Sequence, residues 1–190
     1  MSKTTWKSGT FLYPIPAVMV SCGNMSNSNI ITVAWTGIAN TNPATVYISI
    51  RKERYSYNII RKNKEYVINF VNDKLTRAAD WCGVKTGAKV DKFKEMNLTK
   101  EKAKFLSCPQ IAESPVSIEC KVFEEKDLGS HTMFLAKVLA INVDNRYINN
   151  KGAFDISKCN LIAYANGGYY VLGKKQGSFG YSVRKKKNKK

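Results

Sequence analysis

Short segments rich in β-branched and aromatic residues recur along this chain, and their spacing constrains the fold more than any other feature. Most are bounded by Pro, Gly, Asn or Ser, which is typical of strands in all-β domains. The predicted strands are Ala17–Cys22, Ile30–Trp35, Thr45–Ile50, Glu65–Val71, Ser117–Lys126 and Thr132–Val143. The predicted helices are short, and they cover Ser56–Asn63, Leu75–Trp81 and Asp91–Met96. The pattern predicts a small barrel that is mainly β with short helices.

Two details of the second half support a barrel. In the strand predicted at Thr132–Val143, apolar residues occupy both alternating sets of positions, which suits a wall buried on one side and partly covered on the other. Farther on, Asn166-Gly167 separates two apolar segments, Leu161–Ala165 and Gly168–Leu172. An Asn-Gly pair between two strands predicts a hairpin with a type I′ turn.

Length and composition favour a single domain. A chain of 190 residues, 44% of them hydrophobic, can bury a sizeable core. We expect that domain to span residues 1–183, followed by a basic, disordered tail at 184–190. The tail holds six of the 31 Lys and Arg residues, and like-charge repulsion disfavours its packing. The net charge of +17 admits an anionic cofactor, an acidic protein or nucleic acid as partner, but the cations do not cluster with stacking aromatic residues.

The cysteine, histidine and N-terminal patterns argue against several classes of protein. Five scattered cysteines form no C-x-x-C pair, which disfavours a disulfide framework and zinc or iron–sulfur sites. The lone histidine, His131, cannot share a metal with a second imidazole of the chain, so no metal is predicted. No apolar run reaches the roughly 20 residues that span a bilayer. Because the first residues lack a signal-peptide core, we expect a cytoplasmic protein with no membrane partner.

A basic segment leads directly into the first predicted helix. Arg51, Lys52 and Arg54 precede Ser56, which stands where that helix should start. Backbone N–H groups at a helix N-terminus are unsatisfied, so a capping hydroxyl with flanking cations would make a seat for a phosphate. The alternative is a basic loop with an ordinary capping serine, and the motif by itself does not decide between the two.

Several segments, in their order along the chain, resemble the flavin reductase-like family, which includes the flavoredoxins. The matching segments are Asn29–Trp35, Asn42-Pro43, Val46–Arg51, the helix start at Ser56, Tyr66–Asn69, Val90–Phe93, Gly129–His131 and Phe134–Val138. No single motif is specific, but the ordered set is. The resemblance implies an FMN-binding split β-barrel, usually a homodimer with cofactor sites near the subunit interface.

The resemblance also implies a phosphate seat. Arg51, Arg54 and Ser56 would hold the FMN phosphate, and Lys92 resembles a further contact to the cofactor. FMN requires such a seat for its dianionic phosphate, polar groups along the ribityl chain and a flat apolar wall for its ring. Outside the family resemblance, Lys92 would be interpreted as an ordinary solvated lysine.

A second set of residues is implied near the ring. Asn29, Thr32 and Trp35 would lie on the strand beside the ring and ribityl chain, while His131 and Tyr164 match positions near the flavin. His131 is the predicted catalytic residue. Each has an alternative, since Trp35 could be a core residue, Asn29 could shape a turn, and His131 could be a surface residue.

These observations predict an FMN-dependent oxidoreductase or electron carrier, with the balance toward an enzyme. Its electrons would come from NAD(P)H or a small acidic redox protein, and a pyridine nucleotide would dock over the flavin because the chain has no G-x-G-x-x-G motif. No Ser/His/Asp or Cys/His arrangement indicates hydrolysis. The alternatives are a non-enzymatic, nucleic-acid-binding β-barrel that uses the basic surface and a neighbouring split-barrel family that oxidises a pyridoxal-type phosphate.

Overall fold

The computed structural model describes residues 1–184, so the predicted tail at 184–190 lies outside the described residues except for Arg184. The strands are β1 (Ile15–Pro16), β2 (Val18–Gly23), β3 (Ser28–Val33), β4 (Thr36–Asn40), β5 (Thr45–Arg51), β6 (Glu65–Phe70), β7 (Lys100–Glu101), β8 (Gln110–Ile111), β9 (Val116–Asp127), β10 (His131–Val143), β11 (Ile162–Ala165) and β12 (Gly168–Val171). The α-helices are α1 (Tyr55–Asn63), α2 (Thr76–Val84) and α3 (Lys92–Glu95). Short 3₁₀ turns cover Asp73–Leu75, Asn145–Tyr147, Ile156–Cys159 and Tyr181–Val183.

Seven antiparallel strands form the principal sheet, in the order β3-β2-β6-β9-β10-β5-β4. Its two edge strands, β3 and β4, follow each other in the sequence. Between them, the carbonyl of Trp35 accepts a hydrogen bond of 2.8 Å from the N–H of Ser49 on β5. The sheet therefore curves back on itself as a barrel. Two register shifts in the β9–β10 pair, at Leu135/Ala136 and Val138/Ala140, are bulges that increase the bend of these long strands.

The barrel interior holds the main core. Ile48, Ile60, Tyr66 and Phe134 are fully buried there, and Ile60 comes from α1, which packs against the barrel. On β10, the even-numbered residues from Thr132 to Ala136 face this core, whereas the odd-numbered residues from Lys137 to Ile141 are exposed. The predicted alternation along this strand is therefore confirmed.

A second apolar cluster lies between β2, β3 and the helices α2 and α3. Met19 and Ile30 supply the sheet side, and Ala79 and Phe93 supply the helix side. The small side chains on the inner face of α2 let this helix approach the sheet closely. Because both faces of β2 are covered, all six of its residues are buried. A separate three-stranded sheet, β1-β11-β12, borders this cluster through Ile162.

All the predicted strands and helices are present, with ends shifted by no more than three residues. The type I′ turn is also confirmed, since Asn166 and Gly167 both have positive φ, at 44° and 90°. Four short strands, β1, β4, β7 and β8, were not predicted. The strand β4 contains Gly37 and is mostly exposed, so it lacks the apolar run that would have marked it.

Candidate cofactor site

A cavity of about 330 Å³, which we call the α1 cavity, lies at the N-terminus of α1 beside the C-terminal end of α2. Four of the predicted site residues line it, namely Asn29, Arg54, Ser56 and Lys92. Its other lining residues are Ile31, Glu53, Tyr55, Cys82, Gly83, Lys85, Thr86 and Gly87. Cations outnumber carboxylates on its walls, so the cavity suits an anion.

The first turn of α1 presents free backbone donors to this cavity. The helix begins at Tyr55 and its N-cap is Arg54, whose backbone is still extended with ψ at 135°. Ser56 is thus the second helical residue, and the prediction that it caps the helix is wrong. Within residues 1–184, the N–H groups of Tyr55 and Ser56 donate to no protein acceptor, and the first turn contains no acidic residue. Such a turn attracts anions.

Asn29 and Ser56 are both buried and directly bonded. The side-chain Nδ2 of Asn29 donates to the hydroxyl of Ser56 at 2.7 Å. Because that hydroxyl accepts from Asn29, its own hydrogen stays available for a ligand. Gly87 closes over the pair: a Cβ atom at Gly87 would lie 2.1 Å from Oδ1 of Asn29 and 2.8 Å from Cδ1 of Tyr55. Only glycine fits there without movement of its neighbours.

Lys92 is a buried cation that has no carboxylate partner among the described residues. Its side chain is only 4% exposed, and Nζ donates to the carbonyls of Ile30 at 2.7 Å and Cys82 at 2.6 Å. Burial, together with the nearby guanidinium of Arg54, lowers the pKa of Lys92. The neighbouring thiols do not supply a negative charge, because burial raises the pKa of Cys22 and Cys82 to about 11. An ammonium group has three donors, so one is left for a ligand.

Only some of the residues predicted to bind the phosphate line the α1 cavity. Arg54 lies at the cavity, where Nη1 is 3.4 Å from the carbonyl of Gly83. Arg51 does not line the α1 cavity; its guanidinium pairs with Glu53 at 3.2 Å and is largely exposed. Thr32 does not line the α1 cavity either. Its hydroxyl donates to the carbonyl of Ala79, and this hydrogen bond links β3 to α2.

Trp35 and His131 form a stacked pair outside the α1 cavity. Their ring centroids are 4.4 Å apart and their planes are inclined by 32°. His131 opposes Arg51 across the β5–β10 pair. Burial and the charge of Arg51 lower the pKa of His131 below its ordinary value of 6.5, so the imidazole is mainly neutral at pH 7. Trp35 remains 41% exposed, and it is therefore not a core residue.

A second cavity of about 480 Å³, the Trp35 cavity, lies between the N-terminal segment and the barrel. It is lined by Gly9, Thr10, Phe11, Leu12, Tyr13, Ile15, Ala34, Trp35, Thr36 and Tyr47. Tyr164, on β11, does not line either cavity, but its ring packs edge-on against Tyr13 at 6.0 Å and Tyr169 at 5.5 Å. Tyr13 thus links Tyr164 to the Trp35 cavity.

Sequence reasoning missed the segment that covers the α1 cavity. Gly83, Lys85, Thr86 and Gly87 all line it, yet this Lys- and Gly-rich stretch carries no strand or helix pattern. Two glycines beside a Thr and a Lys, close to an expected phosphate seat, were the available signal. Tyr13 was also not predicted as a site residue, because no local sequence pattern indicates that it lines the same cavity as Trp35.

The described residues contain no group of three or more His, Cys, Asp or Glu side chains that could hold a metal ion. Over the same part of the chain, no helix has the length and apolar character needed to cross a membrane.

Comparison with known proteins gives the family. A sequence profile of the flavin reductase-like domain matches residues 10–173. The chain belongs to the flavin reductase-like family. An uncharacterized protein of Pyrococcus abyssi (strain GE5 / Orsay) is 31% identical over 150 residues, which cover 79% of this chain and 83% of that protein.

Solved structures agree with this family. Flavoredoxin of Desulfovibrio vulgaris (Miyazaki F) superimposes with a TM-score of 0.89 at 26% identity, covering 96% of this chain and all of that one. An FMN-binding protein from Thermus thermophilus, with bound 1-cyclohex-2-enone, gives a TM-score of 0.78 at 17% identity, with coverage of 93% and 99%. The predicted fold class is therefore confirmed, since this flavin reductase-like protein is a mainly β split barrel. Nothing in these matches supports the nucleic-acid-binding alternative.

Proposed function

We propose that this flavin reductase-like protein binds FMN with its phosphate in the α1 cavity and works as a flavin-dependent oxidoreductase or electron carrier. The observation that carries the proposal is the buried ammonium of Lys92, which faces this cavity without a carboxylate partner in the described chain. A buried charge is costly unless it is paired. A phosphate dianion would supply the missing negative charge.

The donor set fits such a phosphate. The free N–H groups of Tyr55 and Ser56, the hydroxyl of Ser56 and the ammonium of Lys92 are all donors, and they come from the walls of one cavity. Arg54 adds a guanidinium at the rim. Asn29 would orient the Ser56 hydroxyl toward the phosphate through their 2.7 Å bond. Charge-assisted bonds of this kind are stronger than neutral ones.

FMN is favoured over FAD because its phosphate is terminal. The donors at the N-terminus of α1 suit a phosphate that ends the ligand, whereas FAD continues from its phosphate into a second nucleotide. Mass spectrometry of the small molecule released on denaturation tests this. We expect FMN; FAD alone would contradict the phosphate seat, and a pyridoxal-type phosphate would favour the neighbouring split-barrel family.

The ring is proposed to lie on the side of the protein that holds Trp35 and His131. FMN supplies the redox chemistry when it is bound. The stacked rings of Trp35 and His131 would form part of a flat wall, and the neutral imidazole can donate one hydrogen bond. Tyr164 would act through Tyr13, against which it packs, and Thr32 would act by holding β3 against α2.

The electron donor is proposed to be NAD(P)H or a small acidic redox protein. The rim of the α1 cavity exposes the cations Arg54 and Lys85, and this charge would attract either donor. Anaerobic reduction with each donor, followed through the flavin absorbance at about 450 nm, identifies the donor. Failure of every donor to reduce the flavin would contradict the proposed activity.

We further propose that residues 1–183 form a single domain that assembles as a homodimer. The outer face of β10 leaves Leu139 and Ile141 exposed, at 43% and 60%, beside the partly exposed Met133 and Leu135. An apolar face of this kind is typical of a subunit interface. Replacing Ile141 by Asp should shift the protein toward monomer in sedimentation analysis, whereas an unchanged mass would contradict this interface.

A further inference from the structure

A third cavity, which we call the α2 cleft, lies along α2 and has a volume of about 690 Å³. On the side of α2 it is lined by Asn72, Lys74, Leu75, Arg77, Ala78 and Trp81. The other side is formed by residues 95–98, Glu113, Arg146 and Tyr147. A concave site of this volume can hold a small molecule. The α2 cleft shares no lining residue with the α1 cavity or the Trp35 cavity, so it is separate from the proposed FMN site.

The buried part of the α2 cleft is mainly apolar. Leu75, Ala78 and Leu98 line it and are each no more than 8% exposed. Trp81 on α2 and Tyr147 on the 3₁₀ turn add two partly buried aromatic side chains. Linings of this kind contact the flat or aliphatic body of a ligand. The α2 cleft therefore suits a ligand with an aromatic body.

Two cations on the α2 side of the cleft have no ionic partner within residues 1–184. Lys74 lies just before α2 and Arg77 lies in its first turn, and neither side chain forms an ion pair. Arg77 and Trp81 are four residues apart, so both lie on one face of α2. A carboxylate that binds Arg77 can therefore belong to the same small molecule as a ring that contacts Trp81.

The other side of the cleft adds a carboxylate that also lacks an ionic partner in the described chain. Glu95, at the end of α3, lines the cleft and forms no ion pair. Glu113 is already engaged, since it accepts from the N–H of Thr99 at 3.0 Å. Arg146 is engaged as well, because its Nε donates to Asp144 at 2.8 Å. With Asp144 counted, the cleft holds three cations and three carboxylates, so it has no net charge.

We propose that the α2 cleft binds an aromatic amino acid. Its carboxylate binds Lys74 and Arg77, its ammonium group binds Glu95, and its ring lies against Trp81 and Tyr147. A ligand that carries both charges supplies a partner for each of the unpaired groups, whereas an anion or a cation alone supplies a partner for one kind only. A ligand of no net charge also matches a cleft of no net charge. The proposal does not depend on the flavin chemistry proposed above.

Four probes that share one ring and differ in charge test the proposal by isothermal titration calorimetry on the full chain. L-tryptophan carries both charges, indole-3-propionate only the carboxylate, tryptamine only the ammonium group, and indole neither. L-tryptophan should bind with a Kd of about 1 mM or lower, as expected for a ligand of its size. Each of the other probes should bind at least about fivefold more weakly, because each lost charge removes a charge-assisted hydrogen bond. Added FMN should leave these affinities unchanged.

Variants assign the two charged contacts separately. Lys74→Gln/Arg77→Gln should weaken binding of L-tryptophan and indole-3-propionate by about tenfold and leave tryptamine unaffected. Glu95→Gln should weaken binding of L-tryptophan and tryptamine and leave indole-3-propionate unaffected. Lys62→Gln is the matched control, since Lys62 is an exposed cation on α1 that forms no ion pair in the described chain and does not line the cleft.

Several results would overturn the proposal. They are absence of L-tryptophan binding at about 10 mM, equally tight binding of indole-3-propionate or indole, and unchanged L-tryptophan affinity in the lysine–arginine variant or in Glu95→Gln. Displacement of L-tryptophan by FMN would also overturn it, because it would place the amino acid at the proposed cofactor site.

Discussion

The side-chain amide of Asn29 donates a hydrogen bond of 2.7 Å to the hydroxyl of Ser56 inside the α1 cavity. The bond joins β3 to the first turn of α1, across 27 residues of sequence. It gives Ser56 a fixed orientation although this residue is not the helix cap. The proposed phosphate seat therefore depends on a contact between the barrel wall and the helix, as well as on the helix terminus.

Ser56→Ala should weaken FMN binding by roughly 1.5–3 kcal/mol, or about ten- to a hundredfold, because it removes a hydrogen bond to a charged group. Fluorescence titration of the apoprotein with FMN measures the change. Riboflavin, which has no phosphate, is the control ligand, and its affinity should change much less. Equal losses for FMN and riboflavin would show that Ser56 does not contact the phosphate.

Gly87→Ala should also weaken FMN binding, since the added Cβ would lie 2.1 Å from Oδ1 of Asn29 and displace it from Ser56. Overpacking of this kind costs about 1–3 kcal/mol. Gly173→Ala is the matched control, because a Cβ there would meet nothing within 4 Å. The result would contradict the described packing if both variants bound FMN as tightly as the unmodified protein.

FMN affinity should fall as the pH rises, and Lys92 should cause much of the fall. Burial lowers the pKa of Lys92 in the free protein, so this group begins to lose its proton at a lower pH than an ordinary lysine would. The dianion binds the protonated form, and binding should raise the pKa of Lys92 again. Titrations from pH 7 to pH 10 on Lys92→Met should show weaker binding and a flatter pH dependence.

Thermal unfolding separates this effect from loss of the fold, since Lys92 also bridges the carbonyls of Ile30 and Cys82. If Lys92→Met unfolds cooperatively and keeps the original pH dependence of FMN binding, the loss of affinity at high pH comes from deprotonation of a group other than Lys92.

His131→Ala should slow reduction of the bound flavin by about five- to tenfold, the value expected for loss of one hydrogen bond. Stopped-flow reduction at pH 7.5 measures the rate, and His131→Gln, which keeps a donor, should recover part of it. Since the pKa of His131 is below 6.5, the cation forms only in acid, so the change in midpoint potential should be larger at pH 5.5 than at pH 7.5. Unchanged rates and potentials would make His131 a structural partner of Trp35 alone.

Removal of residues 184–190 should leave FMN affinity unchanged, because six of these seven residues are Lys or Arg, and their like charges disfavour packing against the fold. Equilibrium titration at low and high salt checks this. A truncated protein that loses flavin in both conditions would show that these residues support the fold.

The sequence alone determined the secondary structure and the architecture. The pattern of apolar residues is local, so it identified β2, β9 and β10 and the hairpin turn at Asn166-Gly167 within a few residues. It failed for β4, which lacks an apolar face of its own and exists because β5 pairs with it. The motifs identified the family through their order along the chain, although no single motif is specific to the family.

Only the tertiary structure decided which residues share a cavity. Asn29 and Ser56 are far apart in sequence, both from each other and from Gly87 and Lys92, and the packing of α1 and α2 on the barrel brings all four to one cavity. Arg51, by contrast, pairs with Glu53 at 3.2 Å and does not line the cavity. Burial and partners fix the charge state and orientation of a side chain, and both are set by residues distant in the chain. The character of Lys92 shows this most clearly: by its sequence it is an ordinary surface lysine, and in the fold it is a buried cation.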